Sequence, residues 1–344
     1  MAKVSVVMPV FNGEKFLPAA IDSIINQTFT DWEFIIVNEF GSNAAAAEIL
    51  AEYELKDKRI RVIQNQTHLG IAESLNAGIR ASSGEYIARM DGDDLSHCTR
   101  FQKQISFLED YPEVGICGTW QWHQGRRGGW VHKPPADQQE LAASLLFSCE
   151  MCHSTVMMRH KTLVRNGLFY DKAYAAEDFE LWGRALAVTT LANLPEVLGE
   201  YRYGNTLTAQ KQAALEREHG ALCAAAMERT LNLRLAETDF PLLNAWKNPF
   251  RFERNQKRKK MNYERYAKIL RLVWEANNHC GVFDSGALLR VLRRRWVWAR
   301  WDIEITEQDV TDIADVFRPA VAPHSQWVRQ RMKRRFQKFH HNRV

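Results

Sequence analysis

The sequence predicts an α/β fold built on a mostly parallel, doubly wound sheet, and three observations carry that expectation. Strand-like and helix-like segments alternate four times between Val4 and Met90, the pattern of βα units that feed a parallel sheet. Three of the strands run into polar, glycine-bearing turns, and in open α/β sheets ligands bind at those carboxyl ends. At 344 residues, 46% of them hydrophobic, the chain can bury one large core and still carry an appendage.

Taken in order, Val4 to Met8 reads as a buried strand that leaves through Pro9-Val10-Phe11-Asn12-Gly13. A helix is expected from Glu14 to Gln27, with Leu17, Ala20, Ile21 and Ile24 on one face and Pro18 tolerated in its first turn. Phe34 to Val37 makes a second strand, followed by the loop Asn38-Glu39-Phe40-Gly41-Ser42-Asn43 and a helix from Ala44 to Glu54. Ile60 to Ile63, a helix from Ile71 to Ala81, and a fourth strand from Tyr86 to Met90 complete the alternation. Phe101, Gln104, Ile105 and Leu108 share a helical face, and Val114 to Gly118 gives another strand. Thr119 to Pro135, rich in Trp, His, Arg and Gly, is expected to be a mobile loop with aromatic platforms, or else to pack on or cap the sheet edge.

The net charge of +5 hides a split. Up to Thr208, 19 Lys and Arg face 26 Asp and Glu, a net of −7; from Ala209 on, 27 face 15, a net of +12. An ordinary front domain and a basic region that meets something anionic are therefore expected. No run approaches the ~20 apolar residues of a membrane span, and the opening residues lack the basic leader of a secretory signal. Six irregularly spaced cysteines then read as reduced thiols.

The stretch with the most chemical content is Tyr86-Ile87-Ala88-Arg89-Met90-Asp91-Gly92-Asp93-Asp94. Gly92 lets the chain turn tightly, so Asp91 and Asp93 can both face a hard divalent cation such as Mg²⁺ or Mn²⁺. Alone, an Asp-x-Asp turn is equally a solvated loop.

Other segments join it. Val4 to Gly13, Gln27-Thr28-Phe29, Phe34 to Val37, Ser74-Leu75-Asn76-Ala77-Gly78, Tyr86 to Asp94, His153-Ser154-Thr155-Val156-Met157 and Glu177-Asp178-Phe179-Glu180-Leu181-Trp182 together resemble the family 2 glycosyltransferases. The likeness covers residues 3 to 208, and the order and spacing of the motifs are specific where each motif alone is weak. It implies a GT-A fold, a Rossmann-like, mostly parallel sheet flanked by helices, as a nucleotide-sugar-binding and catalytic domain over residues 1–208. A mainly helical, basic region, expected to associate with membrane, follows over residues 209–344.

The resemblance also implies roles. Pro9, Phe11 and Glu39, with Ser42 in the same loop as Glu39, are the candidates for the base and ribose of a nucleotide-sugar donor. Asp91 belongs near the ribose or metal, Asp93 on the Mg²⁺ or Mn²⁺ that bridges the diphosphate, and Arg89 either on the same phosphates or in the framework. Asp178 is the expected general base of an inverting displacement, with Glu177 as its partner; without the family pattern this pair reads as a helix cap. Two departures stand out: Asn38-Glu39-Phe40-Gly41-Ser42 replaces the usual Asp-Asp-Gly-Ser, and Gly204 stands where relatives often carry a metal-binding histidine.

A glycosyltransferase acting on a glycan or lipid-linked glycan acceptor is the expectation, and a non-catalytic nucleotide-sugar-binding or membrane-adaptor protein the alternative. Cys149-Glu150-Met151-Cys152-His153 matches a haem-attachment pattern, but export, which haem attachment needs, is not expected, and His153 falls in the His-Ser-Thr-Val-Met motif of the resemblance. The tail reads as helices over Gln210 to Leu233, Phe240 to Trp246, Tyr263 to Asn278, Gly286 to Arg300, Thr306 to Phe317 and Ser325 to Phe339. The last sets Val328, Met332, Phe336 and Phe339 against Arg and Lys, which suits an anionic bilayer or, as the alternative, docking on the catalytic domain with a solvated basic face. A cytoplasmic protein peripheral to the inner face of the cell membrane is expected, and no nucleic-acid recognition motif accompanies the charge.

Overall fold

β1 (Val4–Val10) runs through the centre of the sheet because six of its seven residues are buried, as a strand covered on both faces requires. A computed structural model of the chain describes residues 2–125, 128–202, 209–244 and 255–300. β2 (Trp32–Asn38) and β3 (Ile60–Gln64) lie outward from β1 on one side and β4 (Tyr86–Arg89) on the other, all parallel. The connections are α1 (Leu17–Ile25), α2 (Ala44–Lys56) and α3 (Gly70–Ala81).

Beyond β4 the sheet becomes mixed. β5 (Leu95–Ser96) and α4 (Arg100–Asp110) precede β6 (Val114–Gly125) and β7 (Gly128–His132); α5 (Gln138–Ser144), β8 (Met157–Arg159), α6 (His160–Asn166), α7 (Glu177–Ala185) and β9 (Thr190–Tyr201) follow. The order is β3-β2-β1-β4-β8-β6-β9-β5 with β7 on β6; β8 is antiparallel to both neighbours, and β6 is parallel to β9. β1 sends Val4, Val6, Met8 and Val10 into the layer of α1, α2 and α4, and Val7 into that of α3, α6 and α7. Period-2 alternation thus sorts one strand into two cores.

Two expectations are corrected. α1 begins at Leu17 rather than Glu14, since Gly13 takes a left-handed φ of 86° and residues 14–16 form a turn. The stretch from Thr119 is a β-hairpin, not a mobile loop: β6 continues to Gly125 and pairs with both β7 and β9. Alternating Trp120, Trp122 and Gln121, His123 carried that signal, because alternation is the signature of a half-buried strand.

After residue 208 come α8 (Ala209–Leu231), a short 3-10 turn (Glu237–Leu243), α9 (Gln256–Cys280) and α10 (Ser285–Arg300). Their apolar faces join Leu146, Phe147, Ala176 and Phe179 of the front region in a single core. Part of the basic cluster on α10 faces the protein: Arg290 Nε donates to Glu140 Oε2 at 2.9 Å, and Arg294 pairs with the same carboxylate. The helices expected over 306–317 and 325–339 lie outside the described residues.

The approach of α3 to β1 is close enough to need a glycine. A Cβ on Gly78 would sit 2.4 Å from Val7 Cγ1 and 3.3 Å from Val37 Cγ2. Gly78→Ala is expected to cost about 1–3 kcal/mol through overpacking, read as a lower urea midpoint at unchanged slope. An unchanged midpoint would show that α3 moves freely.

Candidate active site

β4 ends at Arg89, wedged between β1 and β8, and the chain turns at once through Asp91-Gly92-Asp93-Asp94. Arg89 is 2% exposed and ion-paired to Asp91, while its Nε is buried without a partner. Burial, and then the charge of Asp91, push the Asp93 carboxyl above its ordinary range. Asp94 is fully buried; burial and the charge of Asp91 push it up to about 8. It accepts from the Arg202 amide at 3.1 Å and from Gln121 Nε2 at 3.4 Å.

Arg202 spends its guanidinium on carbonyls, those of Asp93 at 2.5 Å, Phe16 at 3.2 Å and Asp94 at 3.3 Å. Three crowded carboxyls are therefore answered by one direct ion pair. The raised Asp93 and Asp94 are what uncompensated acids do when buried together, and a divalent cation would relieve them. Among the described residues no group of three His, Cys, Asp or Glu side chains is gathered as a full metal shell. Asp91 and Asp93 would supply two ligands and leave the others to substrate and water. Gly204 lies outside the described residues.

Beneath this turn is a polar clamp that the periodicity of α4 concealed. Arg100, fully buried, donates to the carbonyls of Arg89, Ser154 and Val156, each at 3.0 Å, and to Gln104 Oε1 at 2.9 Å. Gln104 in turn donates to the carbonyls of Cys117 at 2.8 Å and Thr155 at 2.9 Å. Burial pushes the Arg100 guanidinium down to about 9, still charged at neutral pH. The sequence signal was a cation and an amide four residues apart, on the apolar face.

The first two loops are locked together. Asn12 takes a left-handed φ of 60°; its amide donates to Ser42 Oγ at 2.9 Å, and its Oδ1 accepts from the Asn43 amide at 2.8 Å. Glu39 is 4% exposed and accepts from the amides of Phe40 (2.8 Å), Leu69 (3.0 Å) and Gly70 (2.6 Å) and from Ser74 Oγ (3.2 Å). The oxygens expected to reach a base or ribose are thus engaged at the amino end of α3, where unpaired amides favour an anion. Burial opposes the charge on Glu39, but the Leu69, Phe40 and Gly70 amides win and hold its carboxyl below the usual range. Pro9 is half-buried in β1 beside Val37. Phe11 is 53% exposed at the mouth of the loop, edge-on to His68 at 6.1 Å.

Asp178 stands in the first turn of α7, its Oδ1 accepting from the Phe179 amide at 2.7 Å and its Oδ2 from the Cys149 thiol at 3.5 Å. Glu177 beside it is buried. The segment before α7 is held by α8, since Glu218 Oε2 accepts from the amides of Ala175 at 2.7 Å and Ala176 at 3.2 Å. Tyr170 joins the two acidic sites. Its backbone is gripped by Asn76, at 2.8 and 2.9 Å, and its hydroxyl bonds His153 Nε2 at 2.8 Å. Burial keeps that phenol protonated, and it feels the charges of Arg89, Asp178, Glu177 and Asp91. Two motifs distant in sequence therefore bear on one buried group; Tyr170, Glu218 and Asn76 carried no local signal of that role.

The sequence profile described as Glycosyl transferase family 2 matches residues 5–169. An uncharacterized glycosyltransferase of Haemophilus influenzae is 33% identical over 214 residues, 59% of this chain and 66% of its own length. Another, MJ1057 of Methanocaldococcus jannaschii, is 34% identical over 54% of this chain and 64% of its own length. The chain thus spans about two thirds of those two relatives. EpsE of Bacillus subtilis, named as a glycosyltransferase, is 30% identical over 76% of this chain and 95% of its own length. Among solved structures, S. aureus TarS 1–349 with UDP-GlcNAc gives a TM-score of 0.59 at 16% identity over 92% of each chain. Mannosyltransferase PcManGT of Pyrobaculum calidifontis, with GDP-Man and Mn²⁺, gives 0.53 at 15% identity over 95% of this chain and 87% of its own. These likenesses establish the GT-A fold.

Glu39→Gln is expected to cost about 1–3 kcal/mol at pH 7 by leaving buried donors poorly paired. Because the native carboxyl lies below its unfolded value, its stability is present above the ordinary glutamate range and lost as pH falls through the native value. The gap in urea midpoint between wild type and variant should therefore close in acid; a gap independent of pH would contradict this.

Proposed function

Because the chain belongs to glycosyltransferase family 2, we propose that it is an inverting, metal-dependent enzyme moving one sugar from a UDP-linked donor to a hydroxyl of a surface polysaccharide or glycolipid. The observation that carries this reading is that the turn of residues 153–156 is tied through Arg100 to the end of β4 and lies against α7, the His153 ring 5.9 Å from that of Trp182. The donor and the acceptor base would then share one crevice. TarS with UDP-GlcNAc and PcManGT with GDP-Man and Mn²⁺ support a nucleotide-sugar donor and a divalent cation.

Asp93 and Asp91 would hold Mg²⁺ or Mn²⁺, with diphosphate oxygens and water as the remaining ligands. When bound, such a cation offsets the charge that gathers on the departing nucleoside diphosphate. Arg89 keeps Asp91 in place through their ion pair. Phe11 offers an exposed ring to the base, beside Pro9, and Ser42 and Glu39 act on the nucleotide by fixing the two loops that flank it. Asp178 takes the acceptor proton: its Oδ1 is bound to a backbone amide, and its Oδ2 would exchange the Cys149 thiol for the acceptor hydroxyl. Glu177 is read as its partner in holding the acceptor.

Asp178→Asn is expected to lower transfer by about 10²–10⁴-fold, the usual worth of a general base, while UDP still raises the melting temperature in the presence of Mn²⁺. Substantial turnover in the variant would remove Asp178 from the role. Asp93→Asn should abolish the part of the UDP-induced shift that depends on Mn²⁺; an unaltered metal dependence would move the cation elsewhere.

Among the described residues no helix is long and apolar enough to cross a membrane. Contact of this cytoplasmic enzyme with the anionic inner face of the cell membrane rests on the sequence from Ser325 to Phe339. Deleting residues 325–344 is expected to weaken low-salt sedimentation with phosphatidylglycerol liposomes; equal sedimentation would exclude that contact.

A further inference from the structure

The fold carries the haem-like motif of the sequence to the side of the candidate base. Cys149 is a free thiol at the seam of two cores, that of α8, α9 and α10 and that of α3, α6 and α7. Its Sγ lies 3.5 Å from Asp178 Oδ2 and 3.7 Å from the Met151 carbonyl oxygen. A thiol carries one proton, so it serves one of these acceptors at a time. Burial, and then the charge of Asp178, push it well above its ordinary range, so that proton stays on sulfur at neutral pH.

The residues on either side of Cys149 are held from outside their loop. Arg295 of α10 donates to Ser148 Oγ, which in turn donates to Glu150 Oε1 at 2.5 Å. Asn193 of β9 donates to the Glu150 carbonyl at 3.0 Å. The sulfur is therefore presented from a braced backbone, and rotation of the S–H bond is the freedom left to it. The two oxygens of Asp178 differ accordingly. Oδ1 is bound by the Phe179 amide at 2.7 Å, a fixed donor, whereas Oδ2 meets a weak and rotatable one. Also ionisable around the pair are Glu150, Glu177 and Tyr170 and, from the helical region, Glu218, His219 and Arg295. Of these Arg295 alone is a cation at neutral pH, since burial pushes His219 down to about 4.

We infer that Cys149 is a positioning residue for Asp178: its S–H holds Oδ2 while the acceptor site is empty and turns to the Met151 carbonyl when Oδ2 receives a proton. The inference rests on the reading of Asp178 as the base and goes beyond it by giving the thiol a part. In the transfer step the acceptor O–H proton passes to Asp178 Oδ2, the acceptor oxygen bonds the anomeric carbon, and the bond from that carbon to the diphosphate breaks. The thiol keeps its own proton throughout. A strong donor on Oδ2 would oppose this proton uptake, because a hydrogen bond to a carboxylate favours its charged form. A thiol orients the oxygen and costs it little basicity.

The test uses the full chain without ligand, and acid stands in for the proton that the acceptor would deliver. The infrared S–H stretch of Cys149, isolated as wild type minus Asp178→Asn, is expected to step to higher frequency as Asp178 is protonated, a step that Asp178→Asn removes. In protein labelled with ¹³C at the aspartate carboxyls, the Asp178 resonance, identified by its loss in Asp178→Asn, is expected to titrate roughly 0.3–0.8 pH unit higher in Cys149→Ala. Cys149→Ser, which keeps a donor, should fall between Cys149→Ala and wild type. Loss of packing alone would let water reach the carboxyl and move its titration the other way. An S–H band that ignores pH in wild type, or an Asp178 titration that Cys149→Ala leaves in place or lowers, overturns the role of the thiol. The infrared arm needs no Cys149 variant, so it decides even if Cys149→Ala fails to fold. Substantial turnover in Asp178→Asn would instead remove the base reading, and the thiol's part in the reaction with it, whatever the spectra show.

Discussion

The buried guanidinium of Arg100 is the interaction on which the rest of the site depends. One charged group, with Gln104 beside it, satisfies the carbonyls at the end of β4, in the turn of residues 153–156 and, through Gln104, in β6. Burying a cation is costly unless its donors are used, and four of its hydrogen bonds use them here. What the clamp fixes is relative position: the end of β4 and the turn of residues 153–156 hang from Arg100, and the hairpin strand from Gln104 beside it. Gln121, which bonds Asp94 and Ser154, and the Thr119 amide, which donates to Thr155 Oγ1, tie the same three segments from the other side.

The distribution of charge follows from that frame. Arg89 answers Asp91, and Arg202 draws the turn toward Phe16 by its carbonyls rather than by its carboxylates. Asp93 and Asp94 are left with raised carboxyls. Burial and crowding thus work against the charged forms of Asp93 and Asp94, and a hard cation beside them is the kind of partner that would favour those forms.

The helical region after residue 208 is part of the same machinery rather than an attached tail. α8, α9 and α10 share a core with Phe147 and Phe179, His219 stacks on Phe179 at 5.0 Å, and Glu218 grips the two amides that precede Glu177. The helix that presents Asp178 is thereby braced from behind. The charge split in the sequence pointed to an anionic partner, but Arg290 and Arg294 of α10 are spent on Glu140, so part of that basic character is internal.

The sequence by itself determined the elements whose cause is local: the βα alternation, the buried strands, and the glycine turn that brings Asp91 and Asp93 together. Ordered motifs added the family. Tertiary structure alone decided whatever depends on partners far apart in the chain. Arg202 meets Asp94 across 108 positions, Arg100 meets Val156 across 56, and Asn76 holds Tyr170 across 94; no periodicity records such contacts. Glu39 shows the difference most plainly. Its charge and its place after β2 were legible, but the direction of its carboxylate was set by amides at the start of α3, which strand order brings alongside. Thr119 to His132 shows it again, for the alternation was written in the residues, while the parallel pairing of β6 with β9 was not.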